Sequence, residues 1–538
     1  MRESGEVGRA EAVGAWTVLV LVALIWGWHL DAGSPWDYDW SHSPRTDEAA
    51  YTLHARTSAL AGEYGWNGRP WLWDESHVWP VAGWAASLSF ELSRPGVLAL
   101  RVPSVLFLLA ACLALVLWMR KSQHSLGPAW LPALLVGLSF PAFVYLRLGN
   151  EFSLVIFLWI VAHLICSEAR SGAAWVAAGV LAGVALRART HVAPAFVGLG
   201  ILAIFRDGGS SGRRIACLVL GALAGFGSIW LLHDWPGLSR PEVRLGRDEL
   251  QLALLKKLWP SWLQGVRNLA LSPGLTRFCQ DMAGLILLAA SGAWAVLRTR
   301  PRKDPLGWAF LASVTAVFLA VGILEYQPLR YRVYALPPLA LLATRAWSRT
   351  TSEGAGGGLL LGCLFGLGVG WTLQGLGGGL PRAALMIVIT GLGIACGLHA
   401  RRATVPAWRQ RAFLVLALLG FVAQEATWFA SFHMHPNRAP IQVSAAADAA
   451  FQGARPRIVG ARTPGTYLYD SRLPYFFTWT RLDAEKLHAM AREWNLTHYA
   501  ILLRNGQAPP LELVSALGER RTFDIGTEET LAIYEIRR

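Results

Sequence analysis

Apolar residues occur along this chain in long runs that are separated by short polar stretches. A helix of about 20 mostly apolar residues crosses about 30 Å of hydrocarbon, and thirteen runs approach that length. The runs cover residues 13–30, 97–119, 129–146, 152–167, 173–186, 192–205, 215–232, 281–297, 306–324, 333–347, 358–377, 383–399 and 412–431. The fifth and sixth are short and are also compatible with a single span. The pattern predicts a polytopic α-helical membrane protein with about 13 transmembrane helices.

Two long segments between the predicted spans are too polar to lie inside a bilayer. The first covers 31–96 and contains an amphipathic helical pattern over 47–63. The second covers 233–280, where apolar residues recur at helical spacing over 254–266 beside lysine and arginine. Such a pattern is typical of a helix lying in the membrane interface. We expect these segments to form the first outer loop and the second large outer loop.

The chain changes character near residue 436, where its composition turns polar. Strand-like and helix-like patterns then alternate. They are a strand at 457–460, a helix at 483–494 with Asp483 as its N-cap, a strand at 498–503 and two β-rich segments ending at Ile536. The pattern predicts a small external α/β domain over 436–538, which follows a transmembrane domain over 1–435.

Composition excludes a soluble multidomain protein. The 538 residues are 54% hydrophobic and only 16% charged. The 49 Lys and Arg against 35 Asp and Glu give a net charge of +14, which suits either nucleic acid or an anionic membrane surface. The apolar runs favour the lipid bilayer, so no nucleic-acid partner is expected. Six cysteines, five of them in apolar runs, indicate no disulfide framework.

The distribution of Lys and Arg predicts the orientation, since these residues concentrate in cytoplasmic loops. With a cytoplasmic N-terminus, the seven inner segments hold 18 of them and the four short outer loops hold six. The outer loop over 233–280 adds seven, which reduces the contrast without reversing it. An odd number of spans then places the C-terminus outside. We expect a multi-pass protein of the bacterial inner membrane whose C-terminal domain is periplasmic.

The sharpest group of acidic residues is Asp47 and Glu48, which follow the first predicted span. A carboxylate held at the outer membrane face could take a proton from an attacking hydroxyl. The same residues also suit a helix start, with Thr46 or Asp47 as N-cap and acidic side chains in the first turn. Spacing alone leaves both interpretations open.

Several arginines fall at the outer ends of predicted spans, where the phosphate of a lipid would lie. They are Arg147, Arg187, Arg189, Arg330 and Arg332. A guanidinium suits phosphate oxygens because it donates two parallel hydrogen bonds. Arginines that extend from a span to the interface are the alternative. Glu151, four residues after Arg147, is predicted to pair with it as on one helix face.

Five motifs, taken in order, resemble the GT-C glycosyltransferases of the protein O-mannosyltransferase and aminoarabinose (lipid A) transferase type. They are Asp47-Glu-Ala-Ala-Tyr51 with Ala55-Arg56, Leu100-Arg-Val-Pro-Ser104, Tyr145-Leu-Arg-Leu-Gly-Asn-Glu151, Gly183-Val-Ala-Leu-Arg-Ala-Arg-Thr190, and Arg330-Tyr331 followed by Ala335-Leu-Pro337. The layout of thirteen spans and an α/β tail is also similar. The resemblance covers nearly the whole chain. Each motif is weak alone, and the occurrence of all five in the same order makes the resemblance specific.

The resemblance implies an inverting glycosyltransferase that uses a polyprenyl-phosphate-linked sugar. In that case Asp47, or Glu48 next to it, acts as the catalytic base towards a hydroxyl acceptor in a glycan, lipid or protein. Arg189 and Arg330, helped by Arg147 or Arg332, would bind the donor phosphate. Glu151 resembles an acidic residue that lines the family's site, and Tyr331 is a further lining candidate.

This sequence departs from the family pattern at two places. Many members carry a lysine where this chain has Arg189, which keeps the charge but changes the geometry. Late in the first loop, a Pro-Pro-Leu-Tyr stretch is replaced by a segment that begins at His77. Asp74, Glu75 and His77 are nevertheless candidates for lining the site, either as a second carboxylate or as a metal ligand, and a solvated loop is the alternative.

No metal site is predicted, and no cofactor is required if the leaving group is a phosphate monoester. A divalent cation held by Asp37 and Asp39 stays open as an alternative. A transporter or flippase would be expected to show internal repeats and charges near the midplane. A ligase or polymerase using diphosphate-linked donors would carry its large loop late in the chain. Thirteen spans are far more than an inert anchor for a binding module would need.

Overall fold

A computed structural model of the chain describes most of the predicted architecture. It describes residues 2–33, 43–61, 80–121, 128–149, 151–207, 210–234, 278, 281–322, 329–349, 407–454, 456–477, 482–504, 507–525 and 529–537. Several predicted features lie outside the described residues. They are the interfacial helix over 254–266, the spans over 358–377 and 383–399, the acidic residues Asp37, Asp39, Asp74 and Glu75, and His77.

The regular elements of the described part before residue 435 are helices. They are α1 (Arg2–Gly27), α2 (Ser43–Ala61), α3 (Pro80–Leu92), α4 (Val97–Lys121), α5 (Leu131–Gly137), α6 (Phe140–Leu146), α7 (Phe152–Glu168), α8 (Gly172–Ala188), α9 (Val197–Phe205), α10 (Ser211–Ile229), α11 (Ala283–Leu297), α12 (Pro305–Gly322), α13 (Leu336–Arg349) and α14 (Ala407–Met434). The 3-10 helices Thr190–Phe196 and Leu329–Ala335 lead into α9 and α13. The mainly helical fold predicted for this part is confirmed.

Four helices within the described ranges are long and apolar enough to cross a bilayer, and several shorter apolar helices accompany them. The four are Val97–Lys121, Ser211–Leu232, Pro305–Gly322 and Leu414–Met434. The short fifth and sixth runs form two helices, α8 and α9, rather than one. The total of thirteen spans stays a prediction.

The prediction of one continuous helix over 129–146 is wrong, because two short helices, α5 and α6, occupy this range. The break has a local cause in the sequence. The Ser139 side chain accepts a hydrogen bond from the backbone N–H of Ala142, and a proline lies in the first two positions of α6. Both features are start signals for a new helix.

Close packing between α8 and α10 depends on glycine. Gly179 and Gly183 of α8 face Gly221 and Gly225 of α10, and a Cβ atom added at any of the four would meet backbone atoms of the opposite helix. Small residues allow helix backbones to approach where lipid supplies no hydrophobic drive to associate.

The tail contains helices and a small sheet, as the sequence predicts, whereas its boundary at 436 and its external location stay predictions. Its elements are α15 (Ala439–Ala450), β1 (Ile458–Gly460), α16 (Arg462–Tyr467), β2 (Tyr475–Phe477), α17 (Ala484–Trp494), β3 (His498–Arg504), α18 (Leu511–Val514), β4 (Leu517–Asp524) and β5 (Glu529–Ile536). The five-stranded sheet has the order β2-β1-β3-β5-β4. The strand β1 is parallel to β2 and β3, whereas β5 is antiparallel to β3 and β4. The predicted cap of α17 is confirmed, since the Asp483 side chain accepts from the Lys486 N–H.

One buried apolar cluster contains residues of both the tail and the helices α2, α3 and α4, and it fixes the position of α2. It combines Leu53 and Ala55 of α2 with residues such as Tyr475 and Ile533 from the sheet. A separate cluster covers α17 and includes Leu487 and Trp494. The tail therefore packs directly on the helix that carries the acidic residues Asp47 and Glu48.

The helix α2 begins at Ser43, four residues before the predicted start. Pro44 follows immediately, and proline suits the first turn of a helix because its missing N–H would have no partner there. Thr46 and Asp47 therefore lie inside the helix, and the prediction that one of them is the N-cap is wrong.

Candidate active site

Glu48 forms a buried ion pair with an arginine of α4. Its side chain accepts hydrogen bonds from Arg101 Nε at 2.7 Å and from Arg101 Nη2 at 2.6 Å, one on each carboxylate oxygen. The Oε1 atom also accepts from the backbone N–H of Gly149 at 2.8 Å. Only 6% of Glu48 is exposed. Asp47 precedes it in the same helix.

Two arginines meet at the chain segment that follows α1. The Arg101 guanidinium donates to the carbonyls of Leu30 and Ala32 at 2.8 and 2.7 Å. Arg147, the residue that follows α6, donates through Nη2 to the same Ala32 carbonyl. The carbonyl of Ala32 thus ties α4 and the end of α6 to the end of the first span.

Arg147 is buried between aromatic rings and retains donor capacity. Its guanidinium lies 4.6 Å from the ring centroids of both Phe143 and Phe432, which favours a cation. The Nη1 atom is buried and has no hydrogen-bond partner among the described residues. A buried donor without a partner is costly.

The predicted pair of Arg147 with Glu151 is wrong, because Glu151 pairs with Arg189 instead. The reason lies in the backbone. The helix α6 ends at Leu146 and Glu151 is the N-cap of α7, so Arg147 and Glu151 do not share one helix face. Arg189, whose guanidinium lies 4.5 Å from the ring centroid of Phe152, is 1% exposed.

The two 3-10 helices bring the second set of arginines to this cluster. Arg330 and Arg332, in Leu329–Ala335, are 6% and 0% exposed. The buried Tyr331 packs its ring against that of His191, with centroids 4.4 Å apart, and His191 lies two residues after Arg189. Arg189 and the Arg330 segment are therefore brought close together. That they share a ligand stays a prediction.

Sequence reasoning missed two residues of this cluster. Arg101 was read only as part of a family motif, although a charge within an apolar run is a recognised sign of function or pairing. His191 follows the Arg189-Thr190 motif and carried no signal of its own. The partners of both residues come from distant parts of the chain, which a local pattern does not reveal.

Two spaces adjoin the cluster. A narrow groove, lined mainly by apolar residues of α3, α4 and α7, reaches Gly149 and Glu151. A cleft of about 1650 Å³ opens between the end of α3 and the start of α4 on one side and the tail on the other. Leu98, Asp448 and Asp470 are among the residues that line the cleft.

Within the described ranges, no group of three or more His, Cys, Asp or Glu side chains is arranged to hold a metal ion. The independence from metal therefore stays a prediction. The roles of the predicted site residues also stay predictions. The structure brings seven of them to the same end of the helices, namely Glu48, Arg147, Glu151, Arg189, Arg330, Tyr331 and Arg332.

Taken together, the helical bundle and the small mixed sheet form an ArnT-like fold. The chain is similar in structure to ArnT from Cupriavidus metallidurans bound to undecaprenyl phosphate, with a TM-score of 0.56 and 14% identity over 97% of this chain and 98% of that chain. It matches ArnT from the same organism in the apo state with a TM-score of 0.57 at the same identity and coverage. No protein-family model and no curated protein sequence matches the chain. The resemblance seen in the sequence is confirmed for the fold.

Proposed function

We propose that this chain is a membrane-embedded inverting glycosyltransferase. It moves a hexose or pentose from a polyprenyl-phosphate-linked donor to a hydroxyl acceptor in an envelope glycan, lipid or protein. The observation that carries the proposal is the buried arginine cluster at one end of a GT-C bundle, in which Arg147 keeps a buried donor without a partner among the described residues. The same fold in ArnT binds undecaprenyl phosphate.

The arginines would hold the phosphate of the donor and stabilise it as the leaving group. Arg189 and Arg330 come from separate segments that meet through His191 and Tyr331. A phosphate between them would receive charge-assisted hydrogen bonds from two directions, and these bonds are about twice as strong as neutral ones. Preorganised cations of this kind stabilise the charge that develops on a leaving group.

Asp47 is the proposed catalytic base. Glu48 already accepts hydrogen bonds on both carboxylate oxygens, which favours a role in holding α2 against α4. The Asp47 carboxylate would take the proton of the acceptor hydroxyl as the oxygen attacks the anomeric carbon from the side opposite the phosphate. The bond from that carbon to the phosphate oxygen breaks, and the polyprenyl phosphate leaves with the electron pair.

The two adjoining spaces suit the two substrates. The narrow groove that reaches Glu151 is lined mainly by apolar side chains, which suits part of a polyprenyl chain. The large cleft beside the tail carries both apolar and charged residues, which suits an acceptor at a membrane surface. The proposed topology has thirteen spans, a cytoplasmic N-terminus and a periplasmic tail, so transfer takes place outside the bacterial inner membrane.

The proposal is tested by mass spectrometry of surface glycans, lipids and proteins from the host with and without the gene. We expect one class of molecule to lose a single sugar when the gene is deleted, and to regain it when the intact gene is supplied. An Arg189→Ala gene should fail to restore it. Unchanged surface molecules in the deletion strain would contradict the proposal.

A further inference from the structure

Arg56 of α2 is held by a segment of the tail. Its guanidinium donates to the carbonyls of Tyr469 at 2.6 Å, Leu473 at 3.1 Å, Leu468 at 3.0 Å and Ser471 at 2.5 Å. None of its hydrogen bonds in the described part of the chain goes to a carboxylate. Burial lowers the pKa of Arg56 to about 10, so the side chain is charged at neutral pH although it is fully buried.

The same tail segment also holds the start of α4. The Asp470 Oδ1 atom accepts a hydrogen bond from the backbone N–H of Val97 at 2.9 Å. On the surface, Arg94 Nη2 donates to the carbonyl of Asp470 at 3.3 Å. Residues 468–473, here called the tail clamp, therefore contact α2 through Arg56 and α4 through Val97.

The tail clamp and the Glu48–Arg101 ion pair join the same two helices. Glu48 lies eight residues before Arg56 in α2, and Arg101 lies four residues after Val97 in α4. Eight residues of helix span about 12 Å, since each residue adds about 1.5 Å. The two helices are thus fixed at two successive levels, once by the tail and once by the ion pair.

We propose that the tail clamp sets the position of α2 against α4, and that Arg56 is a positioning residue for the acidic group Asp47 and Glu48. The external domain is then a part of the catalytic unit rather than an appended binding module. This role in catalysis rests on the proposed function, whereas the mechanical role of the clamp does not. A catalytic group misplaced by about 1 Å can cost about a hundredfold in rate.

The mechanical role is tested by a distance measurement on the full-length protein in lipid nanodiscs. Spin labels are placed at two exposed positions, Ala59→Cys on α2 and Leu98→Cys on α4, in a background without native cysteines. The variants are Arg56→Met, Asp470→Ala and the matched control Arg94→Met, which removes a surface arginine that touches the same segment.

We expect pulsed electron paramagnetic resonance to give a broader distribution, centred at a longer distance, in Arg56→Met and in Asp470→Ala. Arg94→Met should match the parent protein. Asp470→Ala removes the hydrogen bond to Val97 and leaves the Arg56 side chain in place, so it serves as the test if Arg56→Met fails to fold. An unchanged distance distribution in Asp470→Ala and in any folded Arg56→Met would overturn the proposed mechanical role of the tail clamp.

The catalytic role is tested by comparing turnover with donor binding in the same variants. We expect kcat to fall about tenfold to a hundredfold in Arg56→Met, whereas the affinity for undecaprenyl phosphate stays within about twofold, because the proposed phosphate site lies on other helices. Arg56→Lys should recover part of kcat, since an ammonium keeps the charge but not the planar fork.

Two outcomes separate this inference from the proposed function. A widened distance with unchanged kcat would overturn the positioning role and leave the glycosyltransferase proposal standing. A parent protein without transferase activity would overturn the proposed function and the catalytic role together, while the distance measurement would still decide the mechanical role of the clamp.

Discussion

Glu48 and Arg101 form a two-point ion pair in which each carboxylate oxygen of Glu48 meets a different nitrogen of Arg101, at 2.7 and 2.6 Å. The two residues are 53 positions apart and lie on α2 and α4. Both side chains are buried. The pair therefore joins the helix that carries Asp47 to the start of a long apolar helix.

Removal of one partner of this pair should destabilise the protein more than removal of both. Arg101→Met leaves a buried carboxylate without its counter-ion, and breaking a buried pair in this way typically costs about 3–5 kcal/mol. The double variant Glu48→Gln/Arg101→Met leaves no unpaired charge and should recover part of the loss. Thermal unfolding of the purified protein measures the difference. A double variant that is less stable than both single variants would contradict the view that the unpaired buried charge causes the loss.

Arg189→Ala and Arg330→Ala should each weaken the binding of undecaprenyl phosphate. Each variant loses a buried cation from the proposed phosphate site, where charge-assisted hydrogen bonds contribute about 1.5–3 kcal/mol each. Lysine at either position should recover only part of the affinity, because it lacks the planar fork. The matched control is Arg120→Ala, at the exposed far end of α4. Unchanged affinity in both alanine variants would show that these arginines do not form the donor site.

Glu425 should affect donor binding through the position of α6. This buried residue of α14 accepts a hydrogen bond from the Phe140 N–H at 2.6 Å, at the start of α6. At the other end of α6, Arg147 stacks on Phe432, which also belongs to α14. The helix α14 therefore holds both ends of the short helix that precedes Arg147.

We expect Glu425→Leu to lower thermal stability by about 1–3 kcal/mol, since it removes the acceptor of the hydrogen bond from the buried Phe140 N–H, and to weaken the binding of undecaprenyl phosphate. Glu425→Gln keeps an acceptor oxygen and should retain most of the affinity. Equal losses in both variants would show that the charge of Glu425 matters rather than its hydrogen bond.

The proposed topology places the tail on the periplasmic side of the membrane. Leu511 in α18 is 91% exposed, so a cysteine at this position is accessible to reagents. In a background without native cysteines, Leu511→Cys in intact spheroplasts should react with a membrane-impermeant thiol reagent. Labelling that requires permeabilisation would place the tail in the cytoplasm and contradict transfer at the periplasmic face.

Local signals explain why much of the fold was predicted from the sequence. The helix over 483–494 was correctly bounded because Asp483 is an N-cap, a feature that depends only on neighbouring residues. The break at Ser139 was missed because the apolar run continues through it, although serine and proline mark it. The length of an apolar run therefore does not show whether the run forms one helix or two.

The sequence suggested which residues belong to the candidate site, but it did not show which of them form ion pairs with each other. Arginines at the ends of apolar runs are expected to lie together at one end of the bundle, because charge is costly inside the bilayer, and their shared role stays a prediction. The partner of Glu151 was wrong, since the local rule for helix neighbours does not apply across the end of α6. Arg189, His191 and Tyr331 meet only through tertiary packing, which no short motif encodes.

The most direct test of the account is the transfer reaction with Asp47→Asn. Purified parent protein should release polyprenyl phosphate from sugar-linked polyprenyl phosphates of the host when acceptor-containing membranes are supplied. The amide of the variant cannot take the proton of the acceptor, and removal of a general base costs about 10² to 10⁴ in rate. We therefore predict that the folded Asp47→Asn protein binds undecaprenyl phosphate normally and turns over at less than about a hundredth of the parent rate. Turnover above about a tenth of the parent rate, outside that range, would contradict the assignment of Asp47 as the base.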